Sequence, residues 1–215
     1  MNLRTIMRAG VASALLAVAL PALAGAQKEE ELSQSVVSGL AKAIADAPVP
    51  AGYASRPDVA RWIGEMSRRI AHRVATDRER TELLATTHYE SLRAGLDPQM
   101  VLAVMYHESG FKKYAFSSAQ ARGYMQVMPF WVKQIGSPDQ NLFNLRTNLR
   151  YGTVILRHYL DIENGDYYRA LGRYNGSLGQ PDYPNAVLGA LNKHFQYTAL
   201  PSTAIKTVGM TTPAR

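Results

Sequence analysis

One ten-residue segment near the middle of the chain restricts what this sequence can fold into. It runs from Gln99 to Glu108, is apolar on nearly every side when drawn as a helix, and follows the pair Asp97-Pro98. Aspartate is a favoured N-cap and proline is tolerated at the first helical position, so this pair is a strong helix-start signal. A helix without a polar face has to be surrounded by other elements. We therefore predict a buried central helix.

The rest of the chain supplies further helices around it. Before the central helix, apolar residues at helical spacing predict three helices: about 29–47, from about 57, and about 77–93, with a Pro- and Gly-containing linker at 48–57. After it, we predict three more: a short helix near 130–135, a longer one at about 148–163, and one from about 167. No segment alternates convincingly as a strand, although a small hairpin within 111–126 is compatible with the pattern. The predicted fold class is mainly α, with irregular functional loops.

The first 26 residues have the features of a secretory signal peptide. Arg4 and Arg8 form a positive start, 9–20 is almost purely apolar, and small residues lead up to Ala26. The apolar stretch is short against the ~20 residues that span a bilayer, which favours cleavage after Ala26 over an uncleaved membrane anchor. No cysteine follows, which excludes a lipoprotein anchor. We predict a periplasmic protein with no stable membrane span after processing.

Composition excludes several kinds of chemistry. The chain has no cysteine, so thiol nucleophiles and thiolate metal sites are impossible, and its five histidines show no ligand spacing. We predict neither a metal nor a cofactor. The formal charge of +7 falls to +5 without Arg4 and Arg8. This basicity suits an acidic polymer, or equally an ordinary solvated surface. Because the basic residues are scattered and the chain is predicted to be exported, we expect no nucleic-acid partner.

Glu108 is the exceptional residue of the central helix. Helical spacing places it on the same side as the apolar Val101 and Met105, at the C-terminal end of the helix. Burial and the negative end of the helix dipole both favour the protonated carboxyl, so we expect a raised pKa. A general acid that works near neutral pH requires this property. The alternatives are a buried glutamate paired with an arginine, or one that points into solvent.

Four short motifs follow in order from Glu108. They are Glu-Ser-Gly-Phe at 108–111, Gly-Tyr-Met-Gln-Val-Met-Pro at 123–129, Asn-Leu-Arg-Tyr-Gly at 148–152, and Ala-Leu-Gly-Arg-Tyr-Asn-Gly at 170–176. Each is weak alone, but the set resembles the soluble lytic transglycosylases, which share a lysozyme-like fold with goose-type lysozyme. The resemblance covers roughly residues 85–195. It implies a lysozyme-like helical domain preceded by extra N-terminal helices.

The resemblance also implies roles for particular residues. Glu108 matches the family's catalytic acid/base. Ser117 takes the place of a serine that contacts the N-acetyl group of the sugar. Met125 and Gln126 match residues that line the floor of the cleft and hold the substrate.

Three aromatic and amide positions complete the implied site. Tyr174 and Asn175 match a Tyr-Asn pair that closes the cleft above the glutamate, with the tyrosine hydroxyl near the carboxylate. Tyr124 replaces the usual leucine and offers a ring on which a sugar face can stack. Gln120 replaces a common glycine. The segment 173–177 departs from the usual Ala-Tyr-Asn-Ala-Gly and has its flexible glycine one position earlier.

The number of carboxylates distinguishes two reactions. Glycosidases normally use two carboxyl groups that flank the bond. The other acidic residues of the motif region fall in polar or loop-like stretches: Asp139, Asp161, Glu163, Asp166 and Asp182. A single-carboxylate scheme fits better. It agrees with the reaction that the family resemblance implies, in which the bond between N-acetylmuramic acid and N-acetylglucosamine is cleaved and a 1,6-anhydro ring is formed. The alternatives are a goose-type hydrolase and a catalytically idle, wall-binding component of a secretion apparatus.

These predictions divide the chain into four parts: a signal peptide at 1–26, an N-terminal helical segment at 27–84, the transglycosylase domain at 85–200, and a disordered tail at 201–215. The predicted partners are the glycan strands of peptidoglycan. The helices at 27–84 can brace the domain or dock an envelope or secretion-system protein.

Overall fold

The structure, a computed structural model, describes residues 27–45 and 48–198. The predicted signal peptide and the predicted tail at 201–215 lie outside these residues. Within them the chain forms eight helices: α1 (Gln34–Ile44), α2 (Pro57–Ile70), α3 (Asp77–Arg93), α4 (Pro98–Glu108), α5 (Pro129–Ile135), α6 (Leu145–Ile162), α7 (Tyr167–Asn175) and α8 (Asp182–Ala190). The mainly α fold class is therefore confirmed. None of the helices in the described ranges is long and apolar enough to cross a membrane.

The central helix is α4, as predicted. Its residues from Met100 to Met105 are buried, and it packs against α3 and α8. The side chain of Asp97 accepts a hydrogen bond from the backbone nitrogen of Gln99 at 2.8 Å, which is the expected N-cap. The helix that the sequence makes apolar all round thus forms the middle of the core.

The first helix begins five residues later than its pattern predicts. Ser33 caps α1 by accepting a hydrogen bond from the backbone of Val36, and residues 27–32 are not helical. Instead, the buried side chain of Gln27 accepts hydrogen bonds from the Trp131 ring nitrogen at 3.0 Å and from the Met128 backbone at 3.3 Å. This N-terminal segment is therefore fastened to the start of α5, a long-range contact that local periodicity does not reveal.

A buried ion pair joins the N-terminal helices to the motif-bearing helices. Arg150 of α6 donates to both carboxylate oxygens of Glu90 in α3, at 2.5 and 2.7 Å, and both side chains are almost fully buried. Arg150 also donates to the carbonyl of Ala45, just after α1, at 2.5 Å. Helix α3 runs unbroken across residue 84, where the sequence suggests a boundary. The predicted segments 27–84 and 85–200 are thus joined by polar contacts, and their buried residues belong to one hydrophobic core.

The largest difference from the predicted elements is α8. No helix was expected at Asp182–Ala190, which is short, has a proline in its first turn and contains Gly189. Its buried residues Val187 and Ala190 belong to the core, and α8 makes extensive contact with α4 and α7. Packing against the central helix stabilises this segment, whose own helical signal is weak.

The loop 111–128 has almost no regular structure. The hairpin considered from the sequence is reduced to two isolated antiparallel bridges, which pair Arg122 with Phe116 and with Val127. Phe111 and Gln126 have positive φ values of 66° and 47°, which turn the chain sharply at both ends of the loop. The loop therefore folds back under the end of α4.

Candidate active site

Glu108 is the last residue of α4, and the chain turns away immediately after it. Ser109 ends the helix, and its hydroxyl donates to the Tyr124 carbonyl at 2.7 Å. Gly110 follows in the left-handed region with a φ of 58°. The carboxyl of Glu108 is thus placed at a helix terminus that is tied directly to the loop 111–128.

Burial raises the pKa of Glu108 to about 8. The hydroxyl of Tyr183, in the first turn of α8, donates to Oε1 of Glu108 at 2.5 Å and acts in the opposite direction, because a hydrogen bond to the carboxylate favours the charged form. Glu108 has no ion-pair partner among the described residues, so the arginine-paired alternative does not apply there. Around neutral pH the carboxyl is therefore protonated and able to donate a proton.

A cleft of about 410 Å³ opens beside Tyr183. It is lined by seven residues: His107, Asn175, Ser177, Gln180, Asp182, Tyr183 and Ala186. Two buried polar atoms of this lining, Nδ2 of Asn175 and Oγ of Ser177, have no hydrogen-bond partner among the residues that the structure describes. Buried polar groups are nearly always paired, so two orphaned groups in one cleft indicate a place where a polar ligand completes the hydrogen bonding.

Asn148 fixes the loop beneath the carboxyl. Its Oδ1 accepts from the Met125 backbone at 2.8 Å, and its Nδ2 donates to the carbonyls of Arg122 and Leu142, both at 2.8 Å. Gly123 has to be a glycine here, because its φ is 74° and a Cβ would lie 2.5 Å from the Asn148 amide nitrogen. The second and third sequence motifs are therefore joined by this amide.

The predicted floor residues lie in this loop and hold it together. Gln126 is buried, and its amide nitrogen donates to the carbonyls of Ala115 and Gly123 at 3.1 and 3.0 Å. The buried hydroxyl of Ser117 accepts from the Ala121 backbone at 3.0 Å. Their predicted contacts with substrate stay predictions.

Met125 and Tyr124 differ in accessibility. Met125 is fully buried and packs against Gly152, where a Cβ would collide with its side chain. Tyr124 is half-buried, and burial raises the pKa of its hydroxyl to about 12. Of these two residues, Tyr124 alone keeps an accessible ring, as the predicted stacking with a sugar requires.

Two tyrosines lie near Glu108, and they do different things. The hydroxyl of Tyr174, which the sequence places near the carboxylate, donates to the Met125 carbonyl at 2.7 Å. Burial, and after it the Glu108 charge, raise the pKa of Tyr174 well above its ordinary value, so the two groups are neighbours. The hydroxyl in contact with Glu108 belongs to Tyr183.

Sequence reasoning missed Tyr183, Ser177 and the position of Asp182. The signal for Tyr183 was weak: a tyrosine beside Pro184 in a segment with no expected helix. Asp182, assigned to a polar stretch, begins α8 and lines the cleft beside Tyr183. Glu163, by contrast, is paired with Arg169 and Arg173, whose hydrogen bonds lower its pKa.

The described residues contain no group of three or more histidine, cysteine, aspartate or glutamate side chains that could hold a metal ion. The site consists of one protonated carboxyl, a phenol that contacts it, and unpaired polar groups in an adjoining cleft. This arrangement can donate a proton to a ligand and take it back.

Comparison with known proteins agrees with this geometry. Residues 86–187 match the family model of the transglycosylase SLT domain. The "Transglycosylase" of Enterobacteria phage PRD1 is 32% identical over 112 residues, which are 49% of this chain and 41% of the relative. "Membrane-bound lytic murein transglycosylase C" of Photorhabdus laumondii is 31% identical over 119 residues, and its namesake from Salmonella typhimurium 33%. Those residues are 48% of this chain and 33% of each relative.

Residues 86–187 thus match the transglycosylase SLT domain, which has a lysozyme-like helical fold, and the match confirms the resemblance found in the sequence motifs. The chain spans between a third and two fifths of the length of the curated relatives it matches.

Proposed function

We propose that this protein is a peptidoglycan lytic transglycosylase that remodels the bacterial cell wall. It cleaves the β-1,4 bond between N-acetylmuramic acid and N-acetylglucosamine without water and leaves 1,6-anhydro-N-acetylmuramic acid ends. The observation that carries this proposal is the protonated Glu108 at the end of α4, with its pKa raised to about 8 and Tyr183 on its carboxyl. The match of residues 86–187 to the transglycosylase SLT domain supports the choice of substrate.

The reaction needs one group that acts first as an acid and then as a base. Protonated Glu108 donates its proton to the glycosidic oxygen, the bond from C1 of the muramic sugar breaks, and the N-acetylglucosamine oxygen leaves as a hydroxyl. The N-acetyl oxygen of the muramic sugar stabilises the cationic C1. The Glu108 carboxylate then takes the proton of the C6 hydroxyl, and O6 bonds to C1. Glu108 ends protonated again, so the cycle is balanced.

The surrounding groups suit these steps. The Tyr183 hydroxyl stabilises the carboxylate that exists between the two proton transfers, since it already donates to Oε1. The orphaned Nδ2 of Asn175 and Oγ of Ser177 supply hydrogen bonds for sugar oxygens in the cleft after small side-chain rotations. Ser117, Tyr124, Met125 and Gln126 are assigned to substrate binding by family resemblance.

The pH dependence of the rate tests the acid role. Since the first step needs protonated Glu108, the rate should fall as the pH rises through about 8. Tyr183→Phe removes a hydrogen bond that favours the charged form, so the Glu108 pKa should rise and the alkaline limb should shift to higher pH. The measurement is turnover of soluble muropeptide chains from pH 5 to 10. A limb that stays fixed, or moves to lower pH, contradicts the assignment of Tyr183.

Asp182 favours one competing function. It is the acidic residue of the cleft lining, so it is the candidate for a second carboxyl that positions water, as in a goose-type hydrolase. Asp182 is exposed, and it is not among the causes of the Glu108 pKa shift, which are burial and the Tyr183 hydrogen bond. We therefore take the lytic reaction as the primary proposal and Asp182 as the residue that tests the hydrolytic one.

Mass spectrometry of digested sacculi distinguishes the two reactions. We expect nearly all products to be anhydro-muropeptides. These are about 18 Da lighter than the hydrolytic products, a difference of one water molecule. The same products should form with Asp182→Asn. If the wild type instead forms products with reducing ends, and Asp182→Asn does not form them, the protein is a hydrolase.

The cellular setting forms part of the same proposal. A cleaved signal peptide at 1–26 would deliver the enzyme to the periplasm, where peptidoglycan is its substrate. An envelope or secretion-system protein that docks on the N-terminal helices would direct it to particular wall sites. Fractionation and N-terminal sequencing of the protein from cells would test the location and cleavage after Ala26.

A further inference from the structure

Arg73 precedes the residues that match the SLT domain, and its side chain lies against the end of α4. Arg73 follows α2, and its guanidinium carbon is 4.3 Å from the centroid of the Tyr106 ring, two residues before Glu108. On the other side of Glu108, a Cβ added at Gly110 would lie 3.0 Å from Nη1 of Arg73. Arg73 is therefore held beside the end of α4 that carries the proposed acid.

Two histidines join Arg73 around the Tyr106 ring. The His194 ring stacks on Tyr106 with the ring centroids 5.2 Å apart, and the His107 ring packs edge-on at 5.3 Å. Burial lowers the pKa of His107, a backbone hydrogen bond at Ala186 acts in the opposite direction, and the neighbouring Arg73 and His194 lower it further. The three groups are therefore close neighbours, and Arg73 is the one that is always charged. We call Arg73, His107 and His194 the basic rim. His107 also lines the cleft, so the basic rim borders it.

The described residues supply no ion-pair partner for Arg73, whose side chain is exposed apart from its stacking contact. Arg69 of α2, by contrast, is paired with Glu65. The contact with the Tyr106 ring holds the Arg73 guanidinium in place, and a guanidinium can bind a carboxylate with two hydrogen bonds. The basic rim therefore presents a positioned, unsatisfied anion-binding group.

The substrate of the proposed function offers such an anion in one place. The sugars of the glycan strand are uncharged, whereas the peptide stem on the lactyl group of muramic acid carries free carboxylates. His107 is the member of the basic rim that lines the cleft, so a stem that left the cleft past His107 would bring a carboxylate towards Arg73.

We propose that the basic rim, with Arg73 as its main contact, binds a carboxylate of the peptide stem and makes the enzyme prefer peptide-bearing over peptide-free glycan strands. This inference rests on the proposed function for its substrate. Arg73 precedes residue 86, where the SLT domain begins, so the N-terminal helices take part in substrate selection.

The first test compares two substrates and two variants. Soluble glycan strands are prepared with their peptide stems and after complete removal of the stems by an amidase. Arg73→Ala should lower kcat/KM on peptide-bearing strands about five- to tenfold, the range for losing one charged hydrogen bond at an exposed site, and leave peptide-free strands within about twofold. The control is Arg61→Ala, which removes an exposed α2 arginine with no polar contact in the described residues and should change neither rate. Equal loss on both substrates, or no loss on either, would overturn the proposal.

A binding experiment separates this inference from the proposed function. Glu108→Gln protein, with and without Arg73→Ala, is titrated with the same two soluble materials, peptide-bearing and peptide-free glycan strands, and binding is measured by calorimetry. Arg73→Ala should weaken binding to the peptide-bearing strands alone. The difference should shrink in 0.5 M salt, because the screening length there is less than about half of that at 0.1 M. If the wild type cleaves neither substrate, the proposed function fails. The binding comparison still decides whether Arg73 contributes to binding of the peptide stem. Equal binding by both proteins to both materials refutes the inference.

Discussion

Glu108→Gln should lose nearly all activity while the protein remains folded. Glutamine keeps the size of the side chain and can still accept the Tyr183 hydrogen bond, but it has no proton to donate to the glycosidic oxygen. Loss of a general acid lowers rates by about 10²–10⁴-fold, and here the same group is also the base, so the upper part of that range applies. The measurement is release of soluble fragments from sacculi. Glu82→Gln, an exposed glutamate of α3, is the matched control and should act like the wild type.

The same variant should be more stable than the wild type at alkaline pH. Folded Glu108 keeps its proton up to about pH 8, whereas an unfolded glutamate loses it near 4.5. Between these values the native state binds more protons than the unfolded state, so the free energy of unfolding falls as the pH rises. Glutamine does not titrate in this pH range, so the variant does not lose this part of the free energy of unfolding. The Tm of Glu108→Gln should therefore exceed that of the wild type at pH 8, with a smaller difference at pH 4.

Two outcomes would contradict this reading of Glu108. Wild-type rates of wall digestion by Glu108→Gln would remove it as the catalytic residue. Loss of digestion with full function of the variant in cells would favour the wall-binding scaffold, in which the site serves only to hold glycan. A lower Tm at every pH would show that the substitution disrupts the fold. The role of Glu108 would then be decided by the pH dependence of the rate of Tyr183→Phe.

Asn148→Ala should have the largest effect on stability. The substitution leaves the Met125 nitrogen and the carbonyls of Arg122 and Leu142 without their partner. Each unsatisfied buried group costs about 1–3 kcal/mol, and partial relaxation brings the total to about 3–5 kcal/mol. For a chain of this size that lowers the Tm by roughly 10 °C. Thermal unfolding followed by circular dichroism measures it.

Two further asparagine variants make this test specific. Asn185→Ala removes an exposed α8 amide without a hydrogen-bond partner among the described residues and should change the Tm by about 2 °C or less. Asn148→Asp keeps the acceptor for the Met125 nitrogen but loses both donated hydrogen bonds, so its Tm should lie between the others. If Asn148→Ala unfolds at the same temperature as Asn185→Ala, Asn148 does not fix the loop.

The stability test also distinguishes motif residues that shape the loop from motif residues that contact the substrate. Asn148 belongs to the Asn-Leu-Arg-Tyr-Gly motif, yet its contacts are with backbone groups of the loop rather than with the cleft. Gln126, from another motif, likewise donates to backbone carbonyls. A motif that accompanies a catalytic residue therefore includes residues that shape the loop, and sequence alone does not separate them from residues that touch substrate.

Much of the fold was predictable because helix signals are local. The Asp97-Pro98 start, the apolar stretch of α4 and the Glu108 terminus can be read from about a dozen consecutive residues, and the structure agrees at each point. The missed boundaries have non-local causes. Residues 29–33 carry a helical pattern but are not helical, because Gln27 holds the segment before α1 against α5. Helix α8 has little pattern of its own and is stabilised by its packing on α4.

The sequence by itself determined that a carboxyl would sit at the end of a buried helix and that its pKa would be raised. Helical period and apolar neighbours suffice for both conclusions. The tertiary structure decided which hydroxyl reaches that carboxyl: Tyr183, 75 residues away, rather than Tyr174. It also decided that Arg73 stands beside the same helix end. These contacts depend on how α8 and the end of α2 pack on α4, and packing between distant segments leaves no periodic trace in the chain.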